Sequence, residues 1–322
     1  MNTNTNITID EFFIEAVTQN STSVFKFTMS KTGVLDYIGE VETFDDSDYQ
    51  QIDASTYFSP SWYTYLPKCL QADFKICYKS GIERLDHSQY SFLMHIGALL
   101  LAVKERDGLL AAELLSRRTS VFTANLPLVS YIIKPIATEA LFAWMYGRFS
   151  NQDEGCNILY EIVKANLQIE PHKETLEQSF TRYFKENSGM ELTIGIVGSQ
   201  CHFWTHGFSR LESMINHHVA RDFTEGLAAL REARQKFFDA LAISVQAEPY
   251  NPHDKNAISV SIEDIEAKIT GSSGKTKAGY IRATGAEILR NARPEQFAYK
   301  AKLWRVGNTQ DSKYGVVVKI CL

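Results

Sequence analysis

Apolar and polar positions alternate most cleanly toward the C-terminal end of the chain. Ile243 and Val245 alternate with Ser244 and Gln246, and Ile258, Val260 and Ile262 alternate with Ser259 and Ser261. A period of two puts successive side chains on opposite faces, so both stretches are predicted as half-buried strands. Between them runs Glu248-Pro249-Tyr250-Asn251-Pro252-His253-Asp254-Lys255-Asn256. Each proline fixes its own φ and pushes the preceding residue toward extended geometry, so Glu248 and Asn251 lead into a stiff polar corner. Further strands are expected over 192–197, 277–281, 297–306 and 314–320, with a turn region at Gly307-Asn308. A short helix is expected over 284–291, with Thr284 placed to cap it.

Upstream the period lengthens to that of helices. Residues 89–104 are apolar almost all round, which predicts a buried central helix. Asp107-Gly108 interrupts it, and 109–118 continue as a second helix. Residues 138–149, 155–167 and 173–186 complete a helical block that stops at Asn187-Ser188-Gly189. Residues 121–133 contain Pro127 and are expected to be extended. Residues 9–17 are read as a short amphipathic helix capped by Thr8 or Asp10. Residues 24–29 and 34–41 read as a hairpin around Ser30-Lys31-Thr32-Gly33. Residues 42–59 read as an acidic surface loop, and 62–78 fit strand or helix equally. A long helical stretch is expected over 208–240.

These elements predict an α+β protein of two domains. A mainly helical domain with a small β-hairpin covers 1–189, and a β-barrel domain with a helical insertion at about 205–240 covers 190–322. The alternative, that 192–197 belongs to the first domain, stays open. The chain of 322 residues is long enough for two cores.

Charge refines this picture. The net charge is −5. From Asp239 onward, however, 12 Lys and Arg face 9 Asp and Glu, so about +3 sits on the C-terminal part and about −8 on the rest. A locally basic module on an acidic body is able to hold a phosphate backbone. The five cysteines (Cys69, Cys77, Cys156, Cys201 and Cys321) show no repeated spacing, which suits reduced thiols. The N-terminus reads as no secretory signal. The apolar run 90–103 is shorter than the ~20 residues that span a bilayer, so a cytoplasmic protein with no membrane partner is expected.

The polar corner and the strands after it carry a resemblance. Glu248-Pro249-Tyr250-Asn251-Pro252-His253-Asp254-Lys255-Asn256-Ala257-Ile258, and then Gly279-Tyr280-Ile281-Arg282, resemble the core of a HIRAN domain. The resemblance implies an OB-like β-barrel that binds single-stranded DNA at its 3′-hydroxyl end. It places Asn251, His253 and Asp254 on the end-binding positions. Asp254 would accept a hydrogen bond from the terminal hydroxyl, which a carboxylate does well and a phosphate would repel. Lys255, Tyr280 and Arg282 would lie along the strand, and Phe203 or Trp204 would supply a stacking ring. Gln200 and Cys201 depart from the family's basic and aromatic pair, and Ala283 stands where some members have lysine. The residues also have structural readings: Asp254 and Asn256 as turn caps bonded to backbone, and Tyr280 as a core side chain. DNA-processing enzymes that commonly carry such modules suggest a helicase or nuclease as partner protein.

Other motifs lead nowhere further. Cys201, His202, His206, His217 and His218 lack the spacing of a zinc finger or ribbon, so no metal is expected. Gly274-Lys275-Thr276 imitates a phosphate loop, but Ile269 stands where such a loop needs glycine. The carboxylates Asp45, Asp46 and Asp48 have no basic partner nearby. No catalytic residues and no cofactor are predicted. The rival readings are a divergent DNA-processing hydrolase in the N-terminal domain, and an assembly module that binds protein alone.

Overall fold

The computed structural model describes residues 10–17, 22–30, 33–42, 44–45, 47–53, 73–79, 87–117, 119–146, 154–166, 174–197, 236, 240–263, 274–308 and 314–322. The protein is α+β, with helices and two antiparallel sheets. It divides into one compact unit of Met1–Glu105 and Arg117–Pro135 and another of Arg106–Ser116 and Ile136–Leu322. The division follows packing rather than a chain boundary at 189, because helices before that residue pack with the C-terminal sheet.

The first unit is built on five strands: β1 (Asp10–Val17), β2 (Thr22–Met29), β3 (Leu35–Val41), β4 (Gln50–Asp53) and β5 (Asp73–Tyr78), in the order β3-β2-β1-β5-β4. The β2–β3 hairpin matches the expectation. The helix expected over 9–17 is instead strand β1, and β4 lies inside the expected loop, so this part of the chain holds far more sheet than a small hairpin. The reason lies in burial. Phe12 stacks on Phe27 with centroids 5.2 Å apart, and Ile14 packs with Phe74 under Gly97 of α1 (His87–Lys104). On the opposite face Phe13 packs with Val24, Cys77, Phe44 and Tyr49. A strand buried on both faces loses its alternation, and its apolar run then imitates a short helix.

Two short helices, α3 (Thr119–Thr123) and α4 (Leu126–Ile133), occupy the stretch expected to be extended. Pro127 sits in the first turn of α4, where backbone N–H groups have no intrahelical partner to lose. Together with the helix after it, the run Leu126–Tyr146 is long and apolar enough to cross a membrane by length and composition, and its most apolar 18 residues are 67% buried inside the protein.

The second unit combines α2 (Gly108–Arg117), α5 (Ala137–Tyr146), α6 (Glu154–Asn166), α7 (Leu176–Glu186) and α8 (Ala283–Ala292) with a six-stranded sheet. The strands are β6 (Glu191–Gly195), β7 (Ile243–Ala247), β8 (Ile258–Glu263), β9 (Lys275–Tyr280), β10 (Ala298–Asn308) and β11 (Tyr314–Cys321), in the order β6-β11-β10-β7-β8-β9. Thr175 caps α7 in a reciprocal capping box with Gln178. Phe142 of α5 meets Phe184 and Phe180 of α7 at 4.8 and 5.3 Å. Asp107 is fully buried. It accepts the N–H of Leu110 at 2.8 Å, which starts α2, and the indole N–H of Trp304 at 2.5 Å, which ties α2 to β10. These ties explain why 106–116 belongs with the sheet.

The sheet's two edges meet. Val197, just beyond β6, bridges Tyr280 at the end of β9 through hydrogen bonds of 2.8 and 2.9 Å. The sheet is therefore curled far enough for its first and last strands to touch. The insertion expected at about 205–240 lies outside the described residues, apart from Lys236 and Ala240.

Candidate nucleic-acid interface

The corner joins β7 to β8 at one end of the curled sheet. Glu248 N–H donates to Ala257 C=O at 2.8 Å and closes its base. Within it, Asn251 N–H donates to Glu248 C=O at 2.9 Å and Ala257 N–H to Asp254 C=O at 3.0 Å. Side chains finish the frame. Asn251 Oδ1 accepts from the N–H groups of His253 (3.0 Å) and Asp254 (3.3 Å), while its Nδ2 donates to Glu248 Oε2 at 2.9 Å. Asp254 Oδ1 accepts from Asn256 N–H at 2.8 Å. Short polar side chains that bond backbone a few residues on are what hold such turns.

Asn251, expected to touch a ligand, is therefore engaged inside the corner at both ends of its amide. Asp254 is half-buried and engaged through one oxygen only; among the described residues no hydrogen bond reaches the other. His253 and Lys255 are exposed. Tyr250 is 96% exposed, although it is a large aromatic residue.

A carboxylate–lysine–tyrosine network stands behind the corner. Lys277 Nζ donates to Glu248 Oε1 at 2.7 Å and to the Tyr280 hydroxyl at 2.8 Å, and lies 4.8 Å from the Tyr280 ring centroid. The Tyr280 hydroxyl approaches Glu248 Oε2 at 3.4 Å. Partial burial raises the Glu248 pKa, but hydrogen bonds from Lys277, Asn251 and Ser259 outweigh it and hold the carboxyl at about 2. Burial pulls Lys277 down, and its bonds to Glu248 and Tyr280 carry it above its ordinary value. Tyr280 is half-buried and supports the corner through this network.

Gly279 precedes Tyr280 with φ +150°, at a bulge where Val260 pairs with Gly279 but Ser261 pairs with Lys277. The bulge turns Lys277 and Tyr280 toward the corner, and the conformation favours glycine. Arg282 is half-buried at the N-cap position of α8 without a side-chain cap bond. Thr284, expected to cap this helix, lies inside its first turn instead. The antiparallel register pairs Ser259 with Tyr280 and joins Ile281 N–H to Ile258 C=O, so Arg282 falls beside Ala257 at the foot of the corner. The structure thus brings Asn251, His253, Asp254, Lys255, Tyr280 and Arg282 to one sheet end. Phe203 and Trp204 lie outside the described residues.

Two further residues of this end are absent from the set expected from sequence. Tyr250 is one, and a ring between two prolines, in a corner too tight to bury it, is a usable signal for it. Phe297 is the other. It is 51% exposed, with the Arg290 guanidinium 4.9 Å from its centroid. Its C=O accepts from Ala247 N–H at 2.8 Å, which sets it next to the strand end that leads into the corner. Only the β7–β10 pairing reveals this.

Among the described residues no group of three or more His, Cys, Asp and Glu could hold a metal ion. No protein-family model matches the chain, and no curated protein matches it in sequence. The likeness to HIRAN domains therefore rests on the quoted residues alone.

Proposed function

We propose that this chain binds nucleic acid. In this reading its C-terminal part is a HIRAN-like barrel, and the corner between β7 and β8 holds single-stranded DNA at its 3′ end. The observation that carries the proposal is the state of Asp254. One oxygen is fixed by Asn256 N–H, so the carboxylate has a set direction. The other has no hydrogen bond among the described residues, and exposed Tyr250, His253 and Lys255 surround it in sequence. A fixed acceptor suits a terminal hydroxyl, which donates, and repels a terminal phosphate. Exposed rings and cations alongside suit bases and backbone. The protein would act in the cytoplasm as an accessory subunit in DNA repair, replication or processing, beside a helicase or nuclease.

Asp254→Ala tests this directly. It is expected to remove the preference for a free 3′-hydroxyl over a 3′-phosphate, while leaving general single-strand binding within a few fold. An unchanged preference would overturn the assignment. The engagement of Asn251 within the corner favours a second reading, an assembly module that binds protein; absence of oligonucleotide binding by the wild-type chain would select it.

A further inference from the structure

Phe297 lies beside the strand end that leads into the corner, and two exposed aromatic residues of this sheet end, Tyr250 and Phe297, are not among those expected to contact a terminus. Tyr250 is 96% exposed, and Pro249 and Pro252 restrain the backbone on either side. Phe297 is 51% exposed, and Arg290 lies over it at 4.9 Å. Arg290 is itself held by donation from Nη1 to Gln296 C=O at 2.8 Å. One face of Phe297 thus carries a fixed cation, and the ring remains half open.

We infer that Tyr250 and Phe297 form a stacking track for successive bases of a single strand, so that the site grips nucleotides inside the strand as well as its end. The inference rests on the nucleic-acid reading above. Exposed rings held on stiff backbone lose little freedom when a base stacks on them, and every base offers a π face, so the track is tolerant of sequence. Arg290 adds a cation beside the stack, with Lys255 and Arg282 at the corner. Glu287 lies one helical turn before Arg290 on α8 and Glu295 two residues before Phe297, and both are exposed. Phosphate attraction is therefore modest, and stacking carries the grip.

The register bounds its length. Phe297 pairs with Ala247, and Tyr250 lies three residues further along the chain. Three residues span at most about 11 Å, and paired strands lie about 5 Å apart, so the two backbones are within roughly 16 Å of each other. At ~3.4 Å per stacked nucleotide, that distance is covered by about four to five nucleotides.

The test uses the full chain and oligothymidylates of two to ten nucleotides with free 3′ ends, read by fluorescence anisotropy. Affinity of the wild type is expected to climb with length to about five nucleotides and then level. Tyr250→Ala and Phe297→Ala are each expected to weaken the longer oligonucleotides by about 5-fold or more. Two-nucleotide probes are expected to change little, and Tyr250→Phe should retain binding. Abasic sugars inside the strand should reproduce the loss in the wild type. Binding by the wild type with no change in either alanine variant would overturn the track and leave end recognition standing. No binding by the wild type at any length would overturn the nucleic-acid reading, and the track with it.

Discussion

At the residue scale the corner depends on Glu248. Its carboxylate collects Lys277, Asn251 and Tyr280, and its pKa of about 2 lies below the ordinary 4.5. A carboxyl depressed in the folded state adds stability that is fully present above pH ~4.5 and is lost as pH falls toward 2. Because Lys277 is partly solvated, the contribution at neutral pH is about 1–2 kcal/mol. Glu248→Gln is accordingly expected to be less stable by that amount at pH 7, with the gap closing between pH 4.5 and 2. Denaturant midpoints measured across that range check it, and a gap independent of pH would contradict the network. Arg282 belongs to the same scale. Arg282→Ala should weaken all single strands alike and flatten the dependence of log K on log salt by about 0.7, the share of one phosphate.

At the scale of elements, α8 is seated by close approach. A Cβ on Gly285 would lie 2.8 Å from Tyr146 Cβ, next to the backbone of α5 rather than the far end of a flexible side chain. Gly285→Ala is therefore expected to force the helices apart and cost about 1–3 kcal/mol, read as a lowered denaturation midpoint. Since α8 carries Arg290 and begins just after Arg282, the shift would also disturb the interface. The same elements separate what is legible in the sequence from what is hidden. The apolar 89–104 stretch is a helix because it is buried all round, and the alternating 243–247 and 258–263 stretches are strands. The 10–17 stretch misleads because burial on both faces erases its period. The 121–133 stretch misleads because a proline in the first helical turn looks the same in sequence as one that breaks a helix. The prolines make the corner itself legible. The inward turn of Asn251 is not, since it depends on which backbone N–H groups the turn brings within reach. Nor is the pairing of Glu248 with Lys277, which requires the bulge in β9.

At the scale of the whole molecule, an acidic chain carries a basic C-terminal part whose sheet curls until its edges touch. Under the proposed nucleic-acid reading, attraction for phosphate would be local to that part, so binding should show the salt dependence of a few contacts. The division into units also bears on experiment. Residues 106–116 and helices α5, α6 and α7 belong to the same compact unit as the sheet that the corner completes, so the full chain, rather than a fragment beginning near residue 190, is the form to measure. Recognition of a hydroxyl terminus by this sheet end is tested most directly by the affinity of the wild-type chain for one short single-stranded DNA carrying either a free or a phosphorylated 3′ end, at fixed moderate salt. A charged acceptor bonded to the terminal hydroxyl predicts tighter binding of the free end by about tenfold or more. Equal affinity for the two ends would contradict it.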